Sequence, residues 1–107
     1  MNLPVKVLEI LKDFISKIEG HSEITKVMLY GSYAKNRWRD DSDIDIAVFI
    51  EDDHYDEIRQ LYKMLYIICI DYPLDVQIQV FPDSELQKPM GIIEEVVQHG
   101  IDVTTLF

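Results

Sequence analysis

The sequence predicts an α/β (α+β) fold, a small mixed β-sheet with helices packed on one face, and three observations carry that expectation. From Asp43 to Ile50, Asp43 and Asp45 alternate with Ile44, Ile46 and Val48, which gives a strand one acidic face and one apolar face. From Leu74 to Val80 the alternation recurs, with Asp75 opposite Val76, Ile78 and Val80. Between and around these runs lie segments with helical spacing. A chain of 107 residues that is 48% hydrophobic is expected to be one domain, 1–107, that buries a single sheet-centred core.

The first helix is expected over Leu3 to Glu19, where Leu8, Leu11, Phe14, Ile15 and Ile18 recur at i, i+3, i+4 and i+7. Pro4 suits its first turn and Gly20 its end. His21, just beyond, reads as a lone surface histidine. Ile24 to Tyr30 is the first strand; its apolar run Val27-Met28-Leu29-Tyr30 stops at Gly31-Ser32. Ser32 is placed to cap a short helix begun by Tyr33-Ala34-Lys35.

After the strand ending at Ile50, Glu51-Asp52-Asp53 breaks the chain, with Asp53 as a candidate cap for a helix from His54 to about Ile70. That helix begins amphipathic (Ile58, Leu61, Leu65) and becomes apolar nearly all round over Leu65 to Ile70. Either it ends as strand-like core or its outer face meets another chain, and periodicity alone leaves both open. Tyr72-Pro73 ends it before the Asp75 strand. Phe81 to Ser84 is a turn. A last helix is expected over Pro89 to His99, with Met90, Ile93, Val96 and Val97 facing inward and Gly100 at its stop. Ile101 to Phe107 has room for a short terminal strand.

Twenty acidic residues against ten basic ones give a net charge of −10, which argues against direct nucleic-acid binding, because phosphate contacts need Lys and Arg. It favours a cationic partner or substrate. The single Cys69 can form no disulfide within the chain and sits in an apolar run, as a core thiol does. No basic leader with an apolar stretch and no uncharged span of membrane length is present, so the expectation is a cytoplasmic protein with no membrane association.

Chemistry concentrates between Tyr30 and Ile50. Two carboxylates about 7 Å apart along one strand repel each other unless a cation sits between them. Oxygen ligands favour Mg²⁺, which takes one or two carboxylates and fills its octahedron with phosphate oxygens and water. Gly31-Ser32 supplies the complementary half, since a glycine lets backbone N–H groups approach an anion closely. Lys35, Arg37 and Arg39 stand beside this seat. They serve either the phosphates or surface ion pairs with Asp40 and Asp41, and the two readings are evenly matched.

Gly-Ser, ten intervening residues and Asp-x-Asp, here Gly31-Ser32 and Asp43-Ile44-Asp45, resemble the signature of the DNA polymerase β-like nucleotidyltransferases. The small size is similar to their minimal nucleotidyltransferase (MNT) branch. The resemblance implies the same architecture, a third metal-binding Asp at Asp75, and two Mg²⁺ ions held by Asp43, Asp45 and Asp75 as the catalytic set. It also implies ATP as substrate, with Gly31 and Ser32 on its phosphates and Lys35 and Arg37 beside them. Where many members have a second glycine this chain has Asn36, which is expected at positive φ, because asparagine tolerates the left-handed turn next best.

Among look-alikes of this size the resemblance implies MNT antitoxins, which pair with a HEPN-domain RNase toxin and adenylylate a tyrosine on it. AMP transfer from a nucleoside triphosphate to such a hydroxyl is therefore the expected function, and a homo-oligomer is a further possibility. Two alternatives stay open: an antitoxin or regulatory module that neutralises its partner by contact alone, and a small-molecule nucleotidyltransferase acting on an aminoglycoside.

Overall fold

The computed structural model describes residues 3–107, apart from the side chains of His54 and Tyr55. The element order is α1 (Val5–Ile18), β1 (Ile24–Tyr30), β2 (Ile44–Ile50), α2 (Ile58–Cys69), β3 (Val76–Pro82), α3 (Ile92–His99) and β4 (Ile101–Asp102). Four strands form one mixed sheet in the order β3-β2-β1-β4. β1 runs antiparallel to β2 and to β4, whereas β2 and β3 are parallel, with Ile44 beside Val76 and Val48 beside Val80. The parallel pair requires a crossover, which α2 supplies.

Two helices cover one face. Val7, Ile10, Leu11, Phe14 and Ile18 of α1, with Leu61, Leu65 and Cys69 of α2, close over Val27, Leu29, Ile44, Ile46, Val48, Ile50 and Ile78. Leu11, Phe14 and Ile18 of α1 are buried as expected, while Val7 and Ile10 complete the stripe and Leu8 and Ile15 are only partly buried.

The third helix lies on the other face, where Ile93 and Val96 pack on Met28, Tyr30, Ala47 and Phe49. The reason lies along β2. The face that begins with Asp43 and Asp45 turns apolar at Ala47 and Phe49, so the middle of the sheet needs cover on both sides. Phe49 is fully buried there and its ring lies 5.7 Å from that of Phe81.

Other boundaries shift for local reasons. α2 begins only at Ile58, preceded by a tight 3₁₀ stretch from Asp52 to Glu57. Asp53 does not cap it; its neighbour Asp52 instead accepts from the Ser84 N–H at 3.2 Å, tying this stretch to the segment after β3. α2 stays helical through its apolar end, and Tyr66, Ile67 and Ile70 remain exposed, so that end is not strand-like core. α3 is shorter than expected, with Met90 and Val97 facing solvent. The expected short terminal strand is β4, after which the chain turns into a 3₁₀ stretch, Val103–Leu106, where the Thr104 N–H donates to the Asp102 carboxylate. His21 is not alone, since its Nδ1 lies 3.0 Å from Glu23. Cys69 is buried, as expected, and burial pushes its thiol up to about 11. No helix among the described residues is long and apolar enough to cross a membrane.

Candidate active site

The site is built at the edge of the sheet where β1 ends and the parallel pair β2 and β3 begin. Gly31 follows β1 directly and adopts φ 75°, in the left-handed region. A methyl group added to it would collide with the carboxylate of Asp45, so the main chain passes directly over that side chain.

The next residues form a single helical turn. Its bonds run from the Lys35 N–H to the Gly31 carbonyl (3.1 Å), from Asn36 to Tyr33 (3.3 Å) and from Arg37 to Ser32 (2.8 Å). The last two, with Asn36 at φ 59°, make a Schellman stop one turn after the start. The expected short helix is thus only this turn, and the expectation for Asn36 is met. Because the turn uses the N–H groups of Lys35, Asn36 and Arg37, those of Ser32, Tyr33 and Ala34 are not consumed by it.

The loop that returns to β2 is held from inside. Tyr33 is buried, its ring stacks on Trp38 at 5.8 Å, and its hydroxyl donates to the Ser42 carbonyl at 3.4 Å. Ser42 Oγ in turn accepts from the Arg39 N–H at 2.7 Å. These contacts set where Asp43 emerges.

Asp43 and Asp75 precede β2 and β3 and are level with each other, since Ile44 pairs with Val76 and the Ile44 N–H donates to the Asp75 carbonyl at 2.8 Å. Both carboxylates are exposed on one cleft of about 620 Å³. Asp45, one strand step further in, is half-buried and sits beside Gln77 in the register. Burial, then the negative charges of Asp43 and Glu95, push its carboxyl up to about 6. Tyr30, opposite Asp45 on β1, is pushed up to about 12 by burial and by the carboxylates of Asp45 and Glu95.

Lys35 is held by Glu95 of α3 in an ion pair, so it meets neither Asp40 nor Asp41. Arg37 and Arg39 are exposed and form no ion pair among the described residues. Local spacing gives no sign of Glu95, because its approach to Asp45 depends on α3 crossing the second face of the sheet. The same holds for Tyr62 and Tyr66, which border the cleft from α2.

The donor set suits a hard divalent cation completed by substrate. Asp43 and Asp45 offer only oxygens, and burial together with the negative charges of Asp43 and Glu95 disfavours the ionised form of Asp45, a strain that a bound cation would relieve. Among the described residues no three His, Cys, Asp or Glu side chains gather closely enough to enclose an ion by themselves. An ion here would therefore draw on phosphate oxygens, as Mg²⁺ commonly does.

Residues 12–105 match the family described as "Polymerase beta, Nucleotidyltransferase". A Methanocaldococcus jannaschii protein whose assigned activity, protein adenylyltransferase, is itself inferred is 24% identical over 102 residues, spanning 92% of this chain and all of the relative. A Sulfolobus solfataricus protein, solved by crystallography and assigned as a nucleotidyltransferase by inference, superposes with a TM-score of 0.69 at 16% identity, covering 92% of this chain and 79% of the other. The fold is therefore shared. A toxin–antitoxin structure with AMP-PNP overlaps at a TM-score of 0.46 and 23% identity, over 92% of this chain and 69% of that one, too loosely to carry an argument.

Proposed function

Because the chain belongs to the polymerase beta nucleotidyltransferase family, we propose that it moves AMP from ATP to a hydroxyl on another protein, releasing pyrophosphate. The observation that carries this reading is the approach of the Gly31 main chain to the Asp45 carboxylate, which would bring phosphates held at the Gly31 turn close to metal-binding oxygens. Nucleotide phosphates and metal-binding oxygens then share one small space.

In this reading Asp43 and Asp45 would hold Mg²⁺ together with phosphate oxygens, and Asp75 would join from the acceptor side. The bound metal would neutralise charge that develops on the triphosphate and on the leaving pyrophosphate. The N–H groups at Ser32, Tyr33 and Ala34 bind the β- and γ-phosphates, with Arg37 free to add its charge. The acceptor oxygen attacks the α-phosphorus, forming a phosphoester bond while the bond to the bridging oxygen of pyrophosphate breaks. Asp75, on the cleft, takes the acceptor proton.

The partner in this reading is a toxin of the HEPN class, and an acidic chain of net charge −10 suits a basic RNA-cleaving protein. The test is ATP labelled at the α-phosphate, incubated with Mg²⁺, this protein and the product of the adjacent reading frame. The expected result is a partner carrying labelled AMP, absent with Asp43→Asn. If wild type and Asp43→Asn neutralise the partner equally and no label moves, the protein acts by contact alone.

A further inference from the structure

β3 is the edge of the sheet, and the cleft beside Asp43 runs along it. In a parallel ladder the backbone groups of alternate residues point to the neighbouring strand. Asp75 points inward, because its carbonyl accepts from Ile44. Those of Val76, Ile78 and Val80 therefore point outward, to a side where the described residues form no further strand. Such an edge is a template for one more strand.

What lies along that edge is chemically specific. Asp41, Asp43 and Asp75 line the cleft, and among the described residues neither Lys nor Arg does. The opposite wall is α2, where the rings of Tyr62 and Tyr66 are stacked at 6.5 Å and are 43% and 53% exposed. Carboxylates on one side and aromatic faces on the other both attract cations. The cleft also lies on the β3 side of Asp43, while the Gly31 turn stands on the β1 side. In-line displacement brings the attacking oxygen in opposite the leaving group, so a pyrophosphate at the Gly31 turn places the acceptor in the cleft.

We infer that the acceptor is an extended, basic segment of polypeptide that adds as a strand to the free edge of β3, with its cationic side chains between Tyr62, Tyr66 and Asp41. The orientation toward the phosphates rests on the proposed function; the strand addition rests on the edge and the cleft alone. A small polycation would satisfy the charges but leave the outward N–H groups of β3 unpaired. RNA is disfavoured by the acidic lining.

The test uses a short peptide of alternating lysine and tyrosine, with an alternating glutamate and tyrosine peptide and spermidine as comparisons. Amide hydrogen exchange on the whole protein is expected to show the lysine peptide protecting Val76, Ile78 and Val80, with the glutamate peptide and spermidine protecting none of them. Tyr66→Ala is expected to weaken the lysine peptide about tenfold, as loss of a central aromatic anchor does. Val76→Pro removes one outward N–H at a strand start, where proline is tolerated, and is expected to weaken it as well. Melting curves establish that both variants fold. No protection by the lysine peptide, or equal protection by the glutamate peptide, overturns the inference. Protection without AMP transfer in the labelled assay leaves the docking standing and removes the transferase reading instead.

Discussion

The main chain of Gly31 lies against the carboxylate of Asp45, with no room for a methyl group between them. β1 and β2 are antiparallel and Tyr30 is paired with Asp45, so the residue after Tyr30 must pass over that side chain. Gly31→Ala meets two penalties there: left-handed strain of about 1–2 kcal/mol and direct overlap. The expected outcome is a loss of stability above about 2 kcal/mol in urea unfolding, with nucleotide binding lost as well. A variant within a few tenths of a kcal/mol of wild type would disprove the contact.

Asp45 yields a pH dependence of definite sign. Its carboxyl is raised from 3.8 to about 6 in the folded protein, so between those values the native state holds more protons than the unfolded one. The contribution of this group is therefore fully present below about pH 4 and is lost as pH rises through 6. With Asp45→Asn, the metal-free protein is expected to gain about 1 kcal/mol at pH 7, a figure already reduced for solvent screening, and to show a flatter stability profile from pH 4 to 6. Mg²⁺ binding to wild type, measured with ATP present, should strengthen across the same window. Identical pH profiles for the two proteins would contradict the assignment.

Glu95 links α3 to both halves of the site, since it pairs with Lys35 and faces Asp45. Glu95→Gln is expected to cost less than about 1 kcal/mol of stability, because the pair is partly exposed. The clearer readout is carboxyl NMR, where the Asp45 titration midpoint should fall toward its ordinary value once one neighbouring charge is gone. An unmoved midpoint means that Glu95 does not act on Asp45.

Asn36 occupies φ 59° at the stop of the turn after Gly31. Asn36→Gly is expected to be neutral or slightly stabilising, whereas Asn36→Val should cost about 1 kcal/mol or more, since a β-branched residue fits the left-handed region poorly. Thermal melts of the two variants check this directly, and equal midpoints would refute it.

Period-two alternation, turn residues and caps are properties of neighbours in the chain, and what depends on them is legible in the amino-acid sequence. That covers the strands at Ile24 to Tyr30 and around Asp45 and Val76, the stop at Asn36, the burial of Cys69 and the coming together of Gly31 with the Asp43 to Asp45 strand. The face chosen by α3 is not legible there, because Met90, Ile93, Val96 and Val97 would serve a helix on either side of a sheet. Only the apolar patch of Met28, Tyr30, Ala47 and Phe49 decides between them. The same long-range choice brings Glu95 to Lys35 and leaves Met90 and Val97 in solvent. Likewise, apart from Leu65 and Cys69, the apolar end of α2 carries no local sign of which residues are covered; packing against β3 leaves Tyr66 and Ile70 beside the cleft. Spacing along the chain is thus enough for the strands, the turn and the carboxylates. Which charges meet and which edge stays open follow only from packing, because they depend on contacts between segments whose separation in sequence carries no periodic signal.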